Sequence, residues 1–368
     1  MRTTAVICEC NPVHAGHAYL FGQARREDGC VLAVMSGSFT QRGEAALFDK
    51  YRRAEALLAC GVDLVAELPF PWSAAGAEDF ARGGVTVAAG LTADALTFGS
   101  GCGDLSLLTR AADVRDSDDY AEAIRLAESE RRGVGSAVLF DEAMARCGIT
   151  EPLEANDKLG LEYIRTGRRL GLTEFYPIRR LTDLPGAVQL RERILAAGEW
   201  PAEIPEAARA VYRTESPCRP ERLNERLFAH ARFGIAAEEE NDRLRYAGKT
   251  ARTVRTSDDF MNALPTKKYT AARMRRELLF SLLGVTAEEI RQSPRFSILL
   301  AANERGRAWL GERRGKLKIP LVTKPADLDA LDEGAIRQAE TLRRADELYA
   351  YLTERPADWF VKQHPAMK

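Results

Sequence analysis

The sequence predicts an α/β fold, in which a doubly wound parallel sheet is followed by a mainly helical part. Over roughly the first hundred residues, short apolar segments alternate with segments of helical periodicity. Such alternation is typical of βα units with right-handed crossovers and buried parallel strands. From about Glu151 onward, helical patterns predominate.

The first four apolar segments are predicted strands, namely Thr4–Cys8, Val31–Met35, Leu64–Glu67 and Ala95–Phe98. Helices are predicted after each of them, at His17–Arg26, Lys50–Cys60, Ala77–Ala89 and Leu105–Asp118. Later helices are predicted at Leu159–Gly171, Val188–Gly198, Ala207–Tyr212 and Glu221–Phe233. Sheets of this type bind ligands at the carboxyl ends of their strands. The residues that follow each strand are therefore the candidates for a site.

The turn after the first strand carries the strongest candidate. The chain has four histidines, and His14 and His17 lie here, just before a predicted helix. A helix N-terminus favours phosphate, and two imidazoles add donors for the oxygens of an α-phosphate under attack. Gly16 allows the backbone to approach a ligand closely. The alternative is a surface turn with two unrelated histidines, but its place between strand and helix favours a phosphate site.

Three further loops follow strands. Met35–Glu44 is small and polar and could line a phosphate or acyl pocket, or be an ordinary Gly/Ser loop. Glu67–Trp72 could form one wall of a pocket for adenine or a small substrate, or it could pack in the core under a loop. Phe98–Gly103 has three glycines, which permit close approach to a ligand.

Composition limits the possible classes of protein. A chain of 368 residues suggests two or three domains, and a net charge of −1 means that any nucleic-acid surface must be local. Seven scattered cysteines favour a reducing compartment, and Cys8 and Cys10 are predicted to be buried free thiols on one face of a strand. No apolar run is long enough for a membrane span, and no signal peptide precedes the first strand. We therefore expect a cytoplasmic protein.

Four blocks in this order resemble the bacterial tRNA(Met) cytidine acetate ligase family, which belongs to the HxGH nucleotidylyltransferase superfamily with its Rossmann-like domain. The blocks are Glu9-x-Asn11-Pro12-x-His14-x-Gly16-His17, Met35-Ser36-Gly37-x-Phe39-x-Gln41-Arg42-Gly43-Glu44, Gly61-Val62-Asp63-Leu64-Val65-x-Glu67-Leu68-Pro69-Phe70-Pro71 and Phe98-Gly99-Ser100. Later segments are similar to the family as well, including Asn156-Asp157, Ile178-x-Arg180, Thr266-Lys267-x-Tyr269, Asn303-x-x-Gly306 and Asp346-x-x-Tyr349. The resemblance covers nearly the whole chain.

The resemblance implies an ATP-dependent enzyme to which Mg²⁺ comes with ATP, and no metal-binding residue is assigned. Acetate and ATP would form acetyl-adenylate, and the acetyl group would pass to N4 of the wobble cytidine in the anticodon region of elongator tRNA(Met). It implies catalytic roles for His14 and His17. The family's ATP contacts correspond to Ile7, Cys8, Glu9, Cys10, Asn11, Pro12, Val13, His14, Ala15, Gly16, His17, Ala18, Tyr19, Leu20, Gly99, Asn156 and Arg180. Arg179 is the second choice for the arginine.

The role of Glu9 stays open between a ligand for Mg²⁺ or a ribose hydroxyl and a structural cap. The chain also departs from the family pattern at several positions. Gly101 stands where a glutamate is usual, Cys10 replaces an aromatic residue, and Ala15 replaces asparagine. The superfamily's late Ser/Thr-rich phosphate motif should fall at residues 187–191, and only Arg191 is present.

Two basic stretches in the second half favour an RNA surface. Residues 245–276 hold nine Lys/Arg against two Asp, and residues 305–318 hold six against one Glu. With the resemblance, the predicted tRNA-binding residues are Lys267, Lys268, Tyr269 and Arg273. We predict a nucleotidylyltransferase-like domain over 1–190 and a mainly helical tRNA-binding part over 191–368. Two alternatives are a nucleotidylyltransferase that moves AMP or CMP onto a small phosphorylated substrate, and a non-catalytic tRNA-binding relative.

Overall fold

A computed structural model describes residues 1–131, 133–197 and 200–368. One mixed sheet runs through the molecule, in the order β5-β4-β1-β2-β3-β6-β7, with β8 beside β6. Its strands are β1 (Thr3–Cys8), β2 (Cys30–Ser36), β3 (Leu64–Leu68), β4 (Ala95–Ser100), β5 (Glu174–Arg179), β6 (Ser297–Ala302), β7 (Leu321–Val322) and β8 (Ala366–Met367). Strands β1 to β5 are parallel, whereas β6 runs antiparallel to β3.

Helices connect the strands and form most of the second half. They are α1 (Ala15–Ala24), α2 (Lys50–Ala59), α3 (Ala77–Gly90), α4 (Leu105–Arg115), α5 (Asp118–Glu130), α6 (Ser136–Arg146), α7 (Ala155–Arg169), α8 (Ala187–Ala197), α9 (Glu206–Tyr212), α10 (Pro220–Ala229), α11 (Asp242–Thr253), α12 (Ser257–Ala263), α13 (Ala271–Leu282), α14 (Ala287–Arg291), α15 (Glu304–Arg313) and α16 (Glu333–Leu352). A short π helix, His230–Gly234, follows α10. Many helices start at a side-chain cap, as α2 does at Asp49, whose carboxylate accepts the Arg52 N–H.

Alternate residues of the central strands supply two cores, one on each face of the sheet. Val6 and Ala33 belong to the core that includes α2 and α16, whereas Ala5 and Leu32 belong to the core that includes α3 and α7. Both faces are therefore covered by helices, which explains why the strands are almost wholly apolar. The predicted doubly wound parallel sheet is confirmed.

The four strands predicted in the first hundred residues are present. The helix predicted to continue to Asp118 ends at Arg115, because α5 starts as a separate helix capped by the Ser117 side chain. Strand β1 ends at Cys8, so the prediction that Cys10 shares the strand is wrong; Cys10 lies in the following turn with a φ of 48°. The predicted end of the α8 segment, Gly198, lies outside the described residues.

Strand β6 was not predicted. Its six residues are fully buried, and they place part of the second half beside β3 in the same sheet. The sheet thus extends across the boundary predicted at residues 190 and 191. The division into a nucleotide domain and a tRNA-binding part stays a prediction.

Among the described helices, none combines the length and the apolar character that a membrane crossing requires.

A buried ion-pair cluster, Lys50–Glu67–Asp346, joins α16 to the sheet. Nζ of Lys50 lies 2.8 Å from Oε2 of Glu67 and 2.6 Å from Oδ2 of Asp346. The hydroxyl of Ser38 donates to Oδ1 of Asp346 at 2.6 Å. Burial raises the pKa of Glu67 to about 7; the Lys50 ammonium opposes this shift and the Asp346 carboxylate adds to it. The cluster connects residues separated by 296 positions in the chain.

Candidate nucleotide-binding site

A cavity of about 320 Å³ opens at the carboxyl ends of β1, β4 and β5. Most of the predicted ATP-binding residues line it, namely Ile7, Cys8, Glu9, Cys10, Asn11, His14, Gly16, His17, Tyr19, Leu20, Gly99, Asn156 and Arg180. Pro12, Val13, Ala15 and Ala18, all within the described part of the chain, lie outside this lining. Val13 is buried in the core, where its N–H donates to the hydroxyl of Tyr212 at 3.3 Å.

The hydrogen bonds of His14 and His17 determine which ring nitrogen carries the proton. His14 caps α1, and its Nδ1 accepts the Gly16 N–H at 3.1 Å. Nδ1 of His17 accepts the His14 N–H at 3.3 Å. A neutral imidazole has one N–H and one acceptor nitrogen, so both rings carry their proton on Nε2. The ring centroids are 3.9 Å apart, and the pair therefore offers two neighbouring N–H donors.

Both imidazoles are neutral at pH 7. Burial lowers the pKa of His14 to about 4, and the positive charge of Arg180 adds to this shift. The pKa of His17 is lowered well below its usual value by burial, by His14 and by Arg180. The two rings can therefore donate hydrogen bonds to a phosphate without being charged beforehand.

Gly16 has a local reason to be glycine. A Cβ at this position would lie 3.0 Å from Cε1 and 3.1 Å from Nδ1 of the His14 ring. The absence of a side chain lets that ring fold over the first turn of α1 and accept the Gly16 N–H. The glycine that we expected to approach a ligand thus also makes room for His14.

Gly99, Asn156 and Arg180 lie close together in the lining of the cavity. A Cβ on Gly99 would lie 3.4 Å from Cγ of Arg180 and 3.9 Å from Nδ2 of Asn156. Arg180 leaves β5 at its carboxyl end, and its side chain is 53% exposed, so its guanidinium is available to a ligand. Arg179, the second choice, lines the cavity as well and packs against Gly103.

Asp157 holds this side of the site in place. Its Oδ1 accepts the Ser100 hydroxyl at 2.5 Å and the Gly101 N–H at 2.9 Å, and its Oδ2 accepts the Glu154 N–H at 3.0 Å. Burial would raise the pKa of Asp157, but these hydrogen bonds outweigh it and lower the pKa. The Asn156-Asp157 and Phe98-Gly99-Ser100 motifs are thus joined through one carboxylate.

The glycine at position 101 also has a structural explanation. A Cβ there would lie 2.5 Å from Cδ of Glu154 and 3.0 Å from Oδ2 of Asp157. The Glu154 carboxylate, 3.9 Å from the Arg180 guanidinium, already fills the space that a side chain would need.

Arg191 binds protein groups at the edge of the cavity. Its guanidinium donates to the carbonyl of Asn11 at 3.0 Å and to Glu44 at 2.9 Å. The other oxygen of Glu44 accepts Arg275, from α13, at 3.1 Å. Arg191, the one residue of the expected phosphate motif that this chain has, therefore holds in place the turn that leads to the histidines.

The part of the cavity formed by the start of α8 was not predicted. Leu184, Pro185, Gly186 and Ala187 line it, and they bring the N-terminus of α8 to the site. Phe80, Phe98 and Tyr163 complete an apolar wall. The proline–glycine pair before a helical segment was a usable signal for a helix start, but nothing local indicated that this helix faces the histidine turn.

Of the predicted tRNA-binding residues, Lys267, Lys268 and Tyr269 lie between α12 and α13 and Arg273 lies in the first turn of α13, all outside the cavity lining. Lys267, Lys268 and Arg273 are exposed or half-buried, and Nζ of Lys268 lies 5.2 Å from the ring centroid of Tyr269. Other basic residues of the stretch are engaged within the protein; Arg276, for example, donates to the Gln41 carbonyl at 3.0 Å. Arg275 and Arg276 therefore serve packing rather than an open surface.

Several known proteins are similar to this chain over most of its length. The sequence model described as HIGH Nucleotidyl Transferase matches residues 1–198 and 236–363. A tRNA(Met) cytidine acetate ligase of Syntrophotalea carbinolica is 35% identical, over 88% of this chain and 85% of the relative. The chain belongs to the tRNA(Met) cytidine acetate ligase family.

Other members of the family match similarly. The tRNA(Met) cytidine acetate ligase of Exiguobacterium sibiricum is 32% identical over 88% of this chain and 89% of its own length. The crystal structure of Thermotoga maritima TmcAL bound with alpha-thio ATP superposes with a TM-score of 0.90 and 27% identity, and the match covers 100% of this chain and 99% of that one. The family membership therefore extends over the whole fold, including β6 and α16.

Proposed function

We propose that the chain is an ATP-dependent ligase that transfers acetate to a tRNA cytidine. Acetate attacks the α-phosphorus of ATP, acetyl-adenylate forms and pyrophosphate leaves. The N4 amine of the wobble cytidine of elongator tRNA(Met) then attacks the acetyl carbonyl, which gives N4-acetylcytidine and AMP. Mg²⁺ enters with ATP as part of the substrate, and a tRNA substrate would place the enzyme in the cytoplasm.

The observation that carries the proposal is the pair of Nε2–H donors on His14 and His17, two residues that line the same cavity as Gly99, Asn156 and Arg180. A carboxylate is already a nucleophile, so its adenylation needs in-line placement and charge stabilisation rather than a strong base. Neutral donors and one exposed guanidinium supply that stabilisation. The names of the relatives support acetate and tRNA as the other substrates.

The test is release of pyrophosphate from ATP, measured with and without acetate, followed by transfer of labelled acetate to total bacterial tRNA. We expect pyrophosphate release to require acetate and the label to appear in tRNA. Pyrophosphate release that does not depend on acetate would favour a nucleotidylyltransferase acting on another substrate. Absence of any turnover would favour a binding protein.

For tRNA, we propose that the loop before α13 contacts the phosphate backbone. The double variant Lys267→Ala/Lys268→Ala is expected to weaken tRNA binding. The slope of the logarithm of the tRNA binding constant against the logarithm of the salt concentration should become less steep by about one unit for each lost phosphate contact. ATP binding should be retained, because both lysines lie outside the cavity lining. Filter binding at several salt concentrations measures the slope.

The matched control is Arg337→Ala/Lys362→Ala, which removes the same charge from exposed residues that already pair with Glu333 and Asp358. Equal effects of the two double variants would show only a general charge effect and would remove this loop from the proposed interface.

A further inference from the structure

The second step of the proposed reaction needs a proton acceptor. The lone pair of the cytidine N4 is delocalised into the ring, so the amine is a weak nucleophile. It must lose one proton as its bond to the acetyl carbon forms. This inference rests on the proposed function and asks which group in the cavity can take that proton.

The two histidines cannot accept it in their present state. Nδ1 of His14 and Nδ1 of His17 each already accept a backbone N–H, and both Nε2 atoms carry hydrogen. The thiol of Cys10 and the hydroxyl of Tyr163 are unsuitable as well, since burial raises the pKa of each well above its usual value and keeps it protonated.

Glu9 supplies the only carboxylate among the described residues that line the cavity. It follows the last residue of β1, and Nη1 of Arg53 holds its backbone by donating to the Glu9 carbonyl at 2.8 Å. Oε1 of Glu9 accepts the Gln41 N–H at 2.5 Å. Oε2 accepts no hydrogen bond from the described part of the protein, so one oxygen is anchored and the other is free.

We propose that Glu9 is the catalytic base of acetyl transfer. The carboxylate accepts a hydrogen bond from the N4 amine, as acidic side chains do when they recognise cytosine. As the N4–carbon bond forms, the proton passes from N4 to Oε2 of Glu9. The bond between the acetyl carbon and the AMP oxygen breaks, and AMP leaves with that electron pair.

The charges around Glu9 suit this role. Burial raises its pKa, the backbone hydrogen bond from Gln41 lowers it, and the like charge of Glu44 raises it again. Arg191 from α8 and Arg53 from α2 lower it. The net shift is upward, which strengthens the carboxylate as a base.

The decisive variant is Glu9→Gln, because a glutamine oxygen can still accept the Gln41 N–H but cannot take up a proton. Hydroxylamine serves as a second acetyl acceptor: it is strongly nucleophilic and loses its proton to water, so capture of acetyl-adenylate as acetohydroxamate does not need the base. The measured quantity is the ratio of tRNA acetylation to acetohydroxamate formation. For Glu9→Gln, we expect this ratio to fall by about 10²–10⁴-fold, the usual contribution of a general base.

Two further measurements separate a base from a merely structural carboxylate. The rate of acetyl transfer by the unaltered enzyme should fall as pH drops through the Glu9 ionisation, and Glu9→Gln should lack that dependence. Glu9→Asp should recover part of the ratio and keep the pH dependence. Glu122→Gln, on the exposed face of α5, is the control and should match the unaltered protein.

An unchanged ratio for Glu9→Gln, whether both activities are retained or both fall equally, would overturn the assignment. Failure of the unaltered protein to form any acetohydroxamate would instead contradict the proposed function itself.

Discussion

His17→Ala is expected to lower acetate-dependent pyrophosphate release by about 10²–10³-fold, the usual cost of removing one preorganised donor to a developing negative charge. The structure gives the reason: Nδ1 of His17 accepts the His14 N–H, so the Nε2–H of this cavity-lining residue is left to donate to a ligand. His364→Ala, on an exposed residue, is the matched control and should have no effect. A loss of less than threefold would exclude a catalytic role for His17.

The two histidines of this site should also make the free energy of unfolding depend on pH. At His14, the folded protein binds fewer protons than the unfolded chain between about pH 4, the pKa of His14, and the usual histidine value of 6.5. The contribution of His14 to the free energy of unfolding should therefore decrease as pH falls through this range, and His14→Ala should remove that contribution. Urea unfolding at several pH values would measure it.

The second large effect is expected in the Lys50–Glu67–Asp346 cluster. Lys50→Met would leave two carboxylates facing each other in the core without their cation, since Lys50 is 1% and Glu67 0% exposed. Breaking such a buried pair costs about 3–5 kcal/mol of unfolding free energy. Arg343→Met, which breaks the pair between half-buried Arg343 and exposed Asp329, should cost at most about 1 kcal/mol.

The way in which the stability loss of Lys50→Met changes with pH provides a further check on this cluster. The pKa of Glu67 is already raised to about 7, and loss of the Lys50 charge would raise it more. A raised carboxyl pKa gives stability that is present at low pH and is lost as pH rises through it. Lys50→Met should therefore lose more stability at pH 8 than at pH 6, as followed by the urea midpoint. Equal losses at both values would mean that Glu67 does not take up a proton.

Local signals were sufficient for the first half of the fold and for the histidine turn. His14 and His17 were found because motif, strand and helix lie within a dozen residues of sequence, whereas Asn156 came from the family resemblance. The contact from α8 to Asn11 was not predictable, because it depends on how distant elements pack. Arg275 and Arg276 were counted toward an RNA surface because charge alone does not tell a solvent-facing arginine from one that binds Glu44 or Gln41.

The antiparallel pairing of β6 with β3 has a consequence for the order in which the polypeptide acquires its structure during synthesis. Residues 1–190 include the histidine turn and β1 to β5, but β3 cannot be paired on its outer side until residues 297–302 have left the ribosome. Until then its N–H and C=O groups form an open edge that can pair with another nascent chain. We therefore expect the nucleotide site to mature late in translation, and a fragment that ends at residue 190 to aggregate rather than to bind ATP as a stable domain.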